Sequence, residues 1–200
     1  MKKLAIFDLD GTLLYTLEDL HASTNFALES EGLPKRSLDE VRRFVGNGIR
    51  KLIERAVPDG CAPDVTDRVF AAFKRHYAEN CMVLTRPYPG IPEMLDALKA
   101  RGWQLGVVSN KADEPVKALI AHYFPGVFDS VVGERENVRK KPAPDSVFET
   151  VGSLGCDIGQ AVYIGDSDVD GQTAANAGCD CILVSWGFRG RETLLSYPSH

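Results

Sequence analysis

The sequence predicts an α/β protein: a doubly wound parallel sheet carrying a small α-helical insertion after its first strand. Three observations lead there. From residue 104 onward, near-continuous apolar runs alternate with helix-length segments. Another apolar run, "LAIF", stands near the start and breaks off at "DLDG". Between them, residues 15–86 show no good strand, and their apolar side chains recur at helical spacing. Strand–helix alternation argues for a Rossmann-like arrangement with helices on both faces of the sheet. A length of 200 residues suits one such domain with an insertion.

The first strand is "LAIF", residues 4–7. Were it to continue, Asp8 and Asp10 would lie on the same side of the strand. Asp8 is therefore expected at the strand's tip, with Gly11 permitting the sharp departure that a tip needs. In the insertion, Leu17, Leu20 and Leu28 mark one helical face. Val41, Phe44, Val45, Ile49, Leu52 and Ile53 mark the next, and Val65, Val69, Phe73 and Tyr77 the last. Gly32-Leu33-Pro34 and Pro58-Asp59-Gly60 punctuate it. "RPYPGIP" (86–92) returns the chain to the sheet, giving a core of residues 1–14 and 87–200 and a cap of residues 15–86. Helices are expected over 91–101, 112–123, 145–154 and 168–177. Strands are expected over 104–110, 128–133, 161–166 and 179–185, which read as runs buried on both faces.

Apolar content of 44% and charged content of 26% are those of a globular chain, and the formal charge of −5 argues against a nucleic-acid surface. The apolar run after Met1-Lys2-Lys3 ends too soon for a signal peptide, and no segment approaches the ~20 apolar residues that a membrane span needs. These features predict a cytoplasmic protein with neither a nucleic-acid nor a membrane partner. The five cysteines, at 61, 81, 156, 179 and 181, have no metal-ligand spacing and read as reduced packing residues.

In an open parallel sheet, ligands bind beyond the carboxyl ends of the strands. Those ends carry Asp8 and Asp10, then Ser109 and Asn110, then Asp166, while "RKKPAP" (139–144) follows the third strand of the series. This set suits attack by Asp8 on a phosphoryl group. Two close anions repel by several kcal/mol at intermediate dielectric, about 4 kcal/mol per charge pair, so cations must be present. Mg²⁺ on Asp8, Asp166 and the Asp10 carbonyl, with Lys141 opposite, would supply them. Asp10 can then serve as acid and base in turn. Ser109 and the backbone amides after Asp10 can hold phosphate oxygens. Plainer readings suit other residues: Asp168 as an acidic helix start, His21, His76 and His122 as helix residues, and Phe44, Phe70 and Phe73 as cap core. "VGNG" (45–48) reads equally as a turn or as a backbone contact to substrate.

These motifs resemble those of the haloacid dehalogenase superfamily of hydrolases. "DLDGTL" is similar to its first motif, D-x-D-G-T, and "VVSN" to its second. "KKPAP" is similar to the third and "IGDSDVD" to the fourth, G-D-x-x-x-D, in the same order along essentially the whole chain. The insertion looks like the family's α-helical cap. Within the superfamily, "VGNG", "YPGIPEML" (88–95) and "WGFR" (186–189) resemble phosphoglycolate phosphatases. The resemblance implies a Mg²⁺-dependent phosphomonoester hydrolase working through an aspartyl-phosphate on a small phosphorylated metabolite such as 2-phosphoglycolate. It implies Asp8 as nucleophile and Asp10 as acid/base. Phosphate contacts fall to Ser109, Asn110 and Lys141, metal ligation to Asp8, Asp10 and Asp166, and support to Gly11, Thr12 and Asp170.

Substrate specificity is expected from Gly46, Asn47, Gly48 and Arg50 in the cap, and the assembly is expected to be a monomer or homodimer. Two features depart from the pattern. Tyr15-Thr16 stands where relatives often carry D-S or D-T, and the chain ends at His200, where they usually continue through another strand and helix. A phosphosugar mutase is the rival on the same scaffold. A phospho-aspartate signalling switch fits less well, because its acceptor follows a later strand and it lacks the insertion.

Overall fold

The computed structural model describes residues 3–196, so the chain end at His200 lies outside them. The chain groups into two compact units, one built from Met1–Leu14 and Pro87–His200, the other from Tyr15–Arg86. In order, the elements are β1 (Leu4–Phe7), β2 (Leu14–Tyr15), α1 (Leu17–Ser30), α2 (Leu38–Phe44), α3 (Ile49–Ala56), α4 (Pro63–Asn80), β3 (Arg86–Pro87) and α5 (Ile91–Ala100). There follow β4 (Gln104–Ala112), α6 (Asp113–Tyr123), β5 (Ser130–Glu134), α7 (Asp145–Ser153), β6 (Ala161–Gly165), α8 (Asp168–Ala177), β7 (Asp180–Leu183) and α9 (Arg191–Leu195).

In the first unit, β5-β4-β1-β6-β7 form one sheet, parallel throughout. The chain runs outward from β1 through β4 to β5, then crosses back to place β6 on the other side of β1 and β7 beyond it. The topological switch point therefore falls at the end of β1, beside β6, where such sheets bind ligands. Every residue of β1 and of β6 is buried, which explains their unbroken apolar runs. Leu4 and Ile6 point to one face, where they meet Tyr163, Val147, Val151, Ala174 and Ala177. Small residues let α8 lie close to the sheet, and Gly178 ends it in the left-handed conformation. None of the five cysteines is in a disulfide among the described residues, and Cys181 belongs to this core.

The second unit is four helices, with α1 packed chiefly along α4. Its core is Leu20, Ala27, Leu28, Val41, Leu52, Ile53, Val69, Phe73 and Tyr77. The side chains of Phe44 and Phe70, expected in that core, stay half-buried at its edge, where the Arg50 guanidinium lies 5.4 Å from the Phe70 ring centre. Ser37 and Glu40 cap α2 reciprocally. Buried Asp19 of α1 accepts hydrogen bonds from the backbone amides of Leu84 (3.0 Å) and Thr85 (2.8 Å), tying the unit's last segment to its first helix.

Hydrogen bonds to a charged group contribute about 1.5–3 kcal/mol, so Asp19→Ala is expected to destabilise Tyr15–Arg86 by that amount. Faster amide exchange at Leu84 and Thr85, with exchange in β1 and β6 unaltered, is the expected reading. Uniform exchange changes in both units would contradict the local role.

Candidate active site

The site begins with the end of β1. The Asp8 amide donates to the Ile164 carbonyl (2.8 Å), continuing the pairing with β6 by one residue. The chain then turns sharply, with the amides of Thr12, Leu13 and Leu14 all directed at the Leu9 carbonyl. Gly11 carries the turn at φ +88°, and a Cβ there would overlap the Asp166 carboxylate. Glycine is thus required both by the backbone and by the approach of the β6 loop.

Asp166 follows β6, and its Oδ2 accepts from the Phe188 amide at 2.6 Å. Gly187 lies so close that a Cβ would overlap the same carboxylate. Asp170, at the third position of α8, takes Ser167 Oγ (2.6 Å) and the Ser167 amide (3.1 Å) on Oδ2, closing a capping box. Its Oδ1 accepts from Lys141 Nζ at 2.7 Å. Lys141 also reaches Asp8 Oδ1 (2.9 Å) and the Tyr163 hydroxyl (3.0 Å). Carboxylate oxygens of Asp8, Asp166 and Asp170 all lie within 4.8 Å of one another.

Asn110 holds Lys141 in place. Its Nδ2 donates to the Lys141 carbonyl (3.0 Å), and its Oδ1 accepts from the Lys141 amide (2.8 Å). Ser109 Oγ accepts from the Lys111 amide (3.2 Å) at the end of β4. Thr12 is buried with its hydroxyl unpartnered among the described residues, and it borders an apolar cavity of about 230 Å³ lined by Phe7, Ile91, Met94, Ile182 and Trp186. In the second unit, Gly46 and Gly48 take positive φ. Asn47 accepts from Arg55 there, while Arg50 is paired with Glu54 and Asp67.

Two participants escape a reading of the motifs. Lys111 is buried and donates to Asp10 Oδ1 at 3.1 Å. The Phe188 amide is a backbone group, and "WGFR" gave only the segment's likeness to relatives. That segment holds the site from one side: Trp186 Nε1 donates to the Thr12 carbonyl (3.1 Å), and Arg189 lies 3.6 Å from Asp168.

Four carboxylates, of Asp8, Asp10, Asp166 and Asp170, thus meet two buried ammonium groups. Burial pushes the Asp8 carboxyl up to about 7; Lys141 pulls it down, while Asp170 and Asp10 add to the rise. Burial, with Asp170 and Asp8 adding to it, also holds Asp166 well above the usual carboxylate range. Burial alone would lower Lys141, but Asp170 and Asp8 outweigh it and keep the ammonium charged. An all-oxygen donor set with surplus negative charge, seated against glycines, fits a hard divalent cation such as Mg²⁺.

The haloacid dehalogenase-like hydrolase family matches residues 5–184. The phosphoglycolate phosphatase of Aquifex aeolicus is 36% identical, over 93% of this chain and 86% of its own length. That of Cereibacter sphaeroides is 34% identical, over 92% and 85%. A solved structure from Lactobacillus delbrueckii subsp. bulgaricus superposes with a TM-score of 0.94 at 36% identity, covering all of this chain and 93% of its own. The chain belongs to the haloacid dehalogenase-like hydrolases. Within them it is a phosphatase of the kind that resembles phosphoglycolate phosphatases. Among the described residues no helix is long and apolar enough to cross a membrane.

A pH dependence follows from Asp8. Its folded pKa is raised from 3.8 to about 7, so the folded metal-free protein keeps a proton that the unfolded chain releases. That makes the stability contribution of Asp8 fall as pH rises from about 4 to about 7 and level off above. Thermal denaturation with chelator at pH 5 and pH 7.5 is expected to show this loss, and Asp8→Asn to make it shallower. A loss equally steep in the variant would contradict the assignment.

Proposed function

We propose that the chain is a Mg²⁺-dependent phosphomonoesterase that forms a phosphoryl bond to Asp8, acting on a small phosphorylated acid such as 2-phosphoglycolate. The observation that carries this reading is Lys141, shared between Asp8 and Asp170 at the tip of β1. Asp8 and Asp166, with the Asp10 carbonyl, would hold the cation. Asp170 already has both oxygens committed to Lys141 and Ser167, and serves to fix Lys141. Bound Mg²⁺ supplies positive charge that offsets repulsion between carboxylate and phosphate.

Asp8 Oδ1 rests on Lys141, which leaves Oδ2 to attack phosphorus. The P–O bond to the alcohol breaks as Asp10 gives its proton to the departing oxygen. Asp10, now a carboxylate, takes a proton from a water that attacks the same phosphorus. The bond from phosphorus to Asp8 then breaks, releasing inorganic phosphate and the Asp8 carboxylate. Ser109 and the amides following Asp10 hold phosphate oxygens, and Asn110 acts through Lys141. Named phosphatases among the relatives favour water over a sugar hydroxyl as the acceptor. The preference for phosphoglycolate rests on the same relatives.

Asp8→Asn is expected to abolish turnover, and chelation to do so reversibly on adding Mg²⁺ back. Asp10→Asn is expected to lower kcat by about 10²–10⁴-fold for alkyl phosphates and by less for aryl phosphates in the phosphorylation step. A steady-state screen over phosphoglycolate, phosphosugars, nucleotides and pyrophosphate tests the substrate. A kcat/KM for phosphoglycolate no better than for the others would overturn that part.

A further inference from the structure

The reaction at phosphorus accounts for Lys141 but leaves Lys111 without a task. Lysine is almost never fully buried unless paired, because desolvating an ammonium is costly. The Lys111 side chain is only 3% exposed, and its Nζ lies 3.1 Å from Asp10 Oδ1 and 3.4 Å from Oδ2. The register of β4 against β5 shifts between Val108 and Ala112, the kind of irregularity that re-aims side chains near a site. The Lys111 amide is anchored on Ser109 Oγ, so the backbone that carries the ammonium is fixed to a phosphate-contact residue. In the second unit, Arg50, one of the residues from which substrate specificity is expected, is already engaged with Glu54 and Asp67.

We infer that Lys111 is the specificity residue for an anionic group on the departing alcohol, so that the preferred esters carry a carboxylate one carbon from the ester oxygen. The inference rests on the proposed role of Asp10. An acid approaches the oxygen it protonates to about 3 Å. A cation at hydrogen-bond distance from that acid therefore lies within about 6 Å of the departing oxygen. In a phosphorylated 2-hydroxy acid the carboxylate oxygens extend about 3 Å from the ester oxygen, which brings them within hydrogen-bond reach of Lys111. Lys141 pairs instead with Asp8, the proposed phosphoryl acceptor, and with Asp170. The two buried lysines thus separate the phosphoryl half of the substrate from the alcohol half. A neutral alcohol of the same size offers Lys111 no charge to pair with and gains nothing from it.

The test compares 2-phosphoglycolate with ethyl phosphate, which has the same carbon count and no carboxylate, in wild type, Lys111→Met and Lys111→Arg, all with Mg²⁺. The Met variant is expected to lose at least about tenfold more kcat/KM on phosphoglycolate than on ethyl phosphate, since a site built to pair a substrate group discriminates strongly when the pair is lost. The extra loss should appear mainly in KM, and Arg should restore part of it. Equal losses on both esters would mean that Lys111 only orients Asp10, and would overturn the inference while leaving the phosphatase reading intact. A Met variant without turnover of either ester, beside an active Arg variant that keeps no preference for phosphoglycolate, would overturn it as well. Failure of wild type to hydrolyse phosphoglycolate while it turns over other phosphomonoesters would overturn the phosphoglycolate reading and this inference together.

Discussion

The structure depends on one shared cation. Lys141 lies between Asp8 and Asp170, with all three groups buried, and no pairwise pairing would serve. Removing one partner from such a set leaves an uncompensated charge away from water, at a cost of several kcal/mol, roughly 3–5. The neighbourhood is arranged around this constraint. Asn110 grips the Lys141 backbone from β4, Tyr163 supports its Nζ from β6, and the capping box of α8 fixes Asp170. Three strands that are distant in sequence are thereby aligned on one lysine.

The same constraint explains the glycines. A parallel sheet brings its carboxyl ends together but leaves little room where several loops converge. Side chains at Gly11 and Gly187 would overlap Asp166, and one at Gly165 would overlap Asp170. Close backbone approach concentrates acidic oxygens within a few ångströms; a divalent cation relieves the resulting repulsion, which would otherwise oppose an anionic phosphoryl group. Site chemistry and strand order are therefore linked: the acids fall at the switch point, where the chain reverses direction across the sheet.

The fold was legible because burial on both faces leaves a strong mark. "AVYIGD" and "LAIF" read as strands with no room for a polar face, and α8 begins within its expected segment because Ser167 and Asp170 are good capping residues. The acids of the site were legible for a related reason, since an aspartate that ends an apolar run has few ordinary uses. What stayed hidden was chemistry that leaves no unusual residue behind. No motif singles out Lys111, which lies just past the strand expected over 104–110, and the amide of Phe188 has no side-chain signal. Asn110 was expected on phosphate, yet its amide group is paired with the Lys141 backbone, a partner 31 positions away that spacing alone does not indicate.

The central claim is that Asp8 carries the phosphoryl group during turnover. Rapid acid quenching of wild type during steady-state turnover, followed by peptide mass spectrometry, addresses it directly. The account predicts one added phosphoryl group on the peptide containing Asp8, localised to that residue and absent without Mg²⁺. Phosphoryl transfer to any other side chain, or rapid turnover in Asp8→Asn with no protein-bound phosphoryl group, would contradict it.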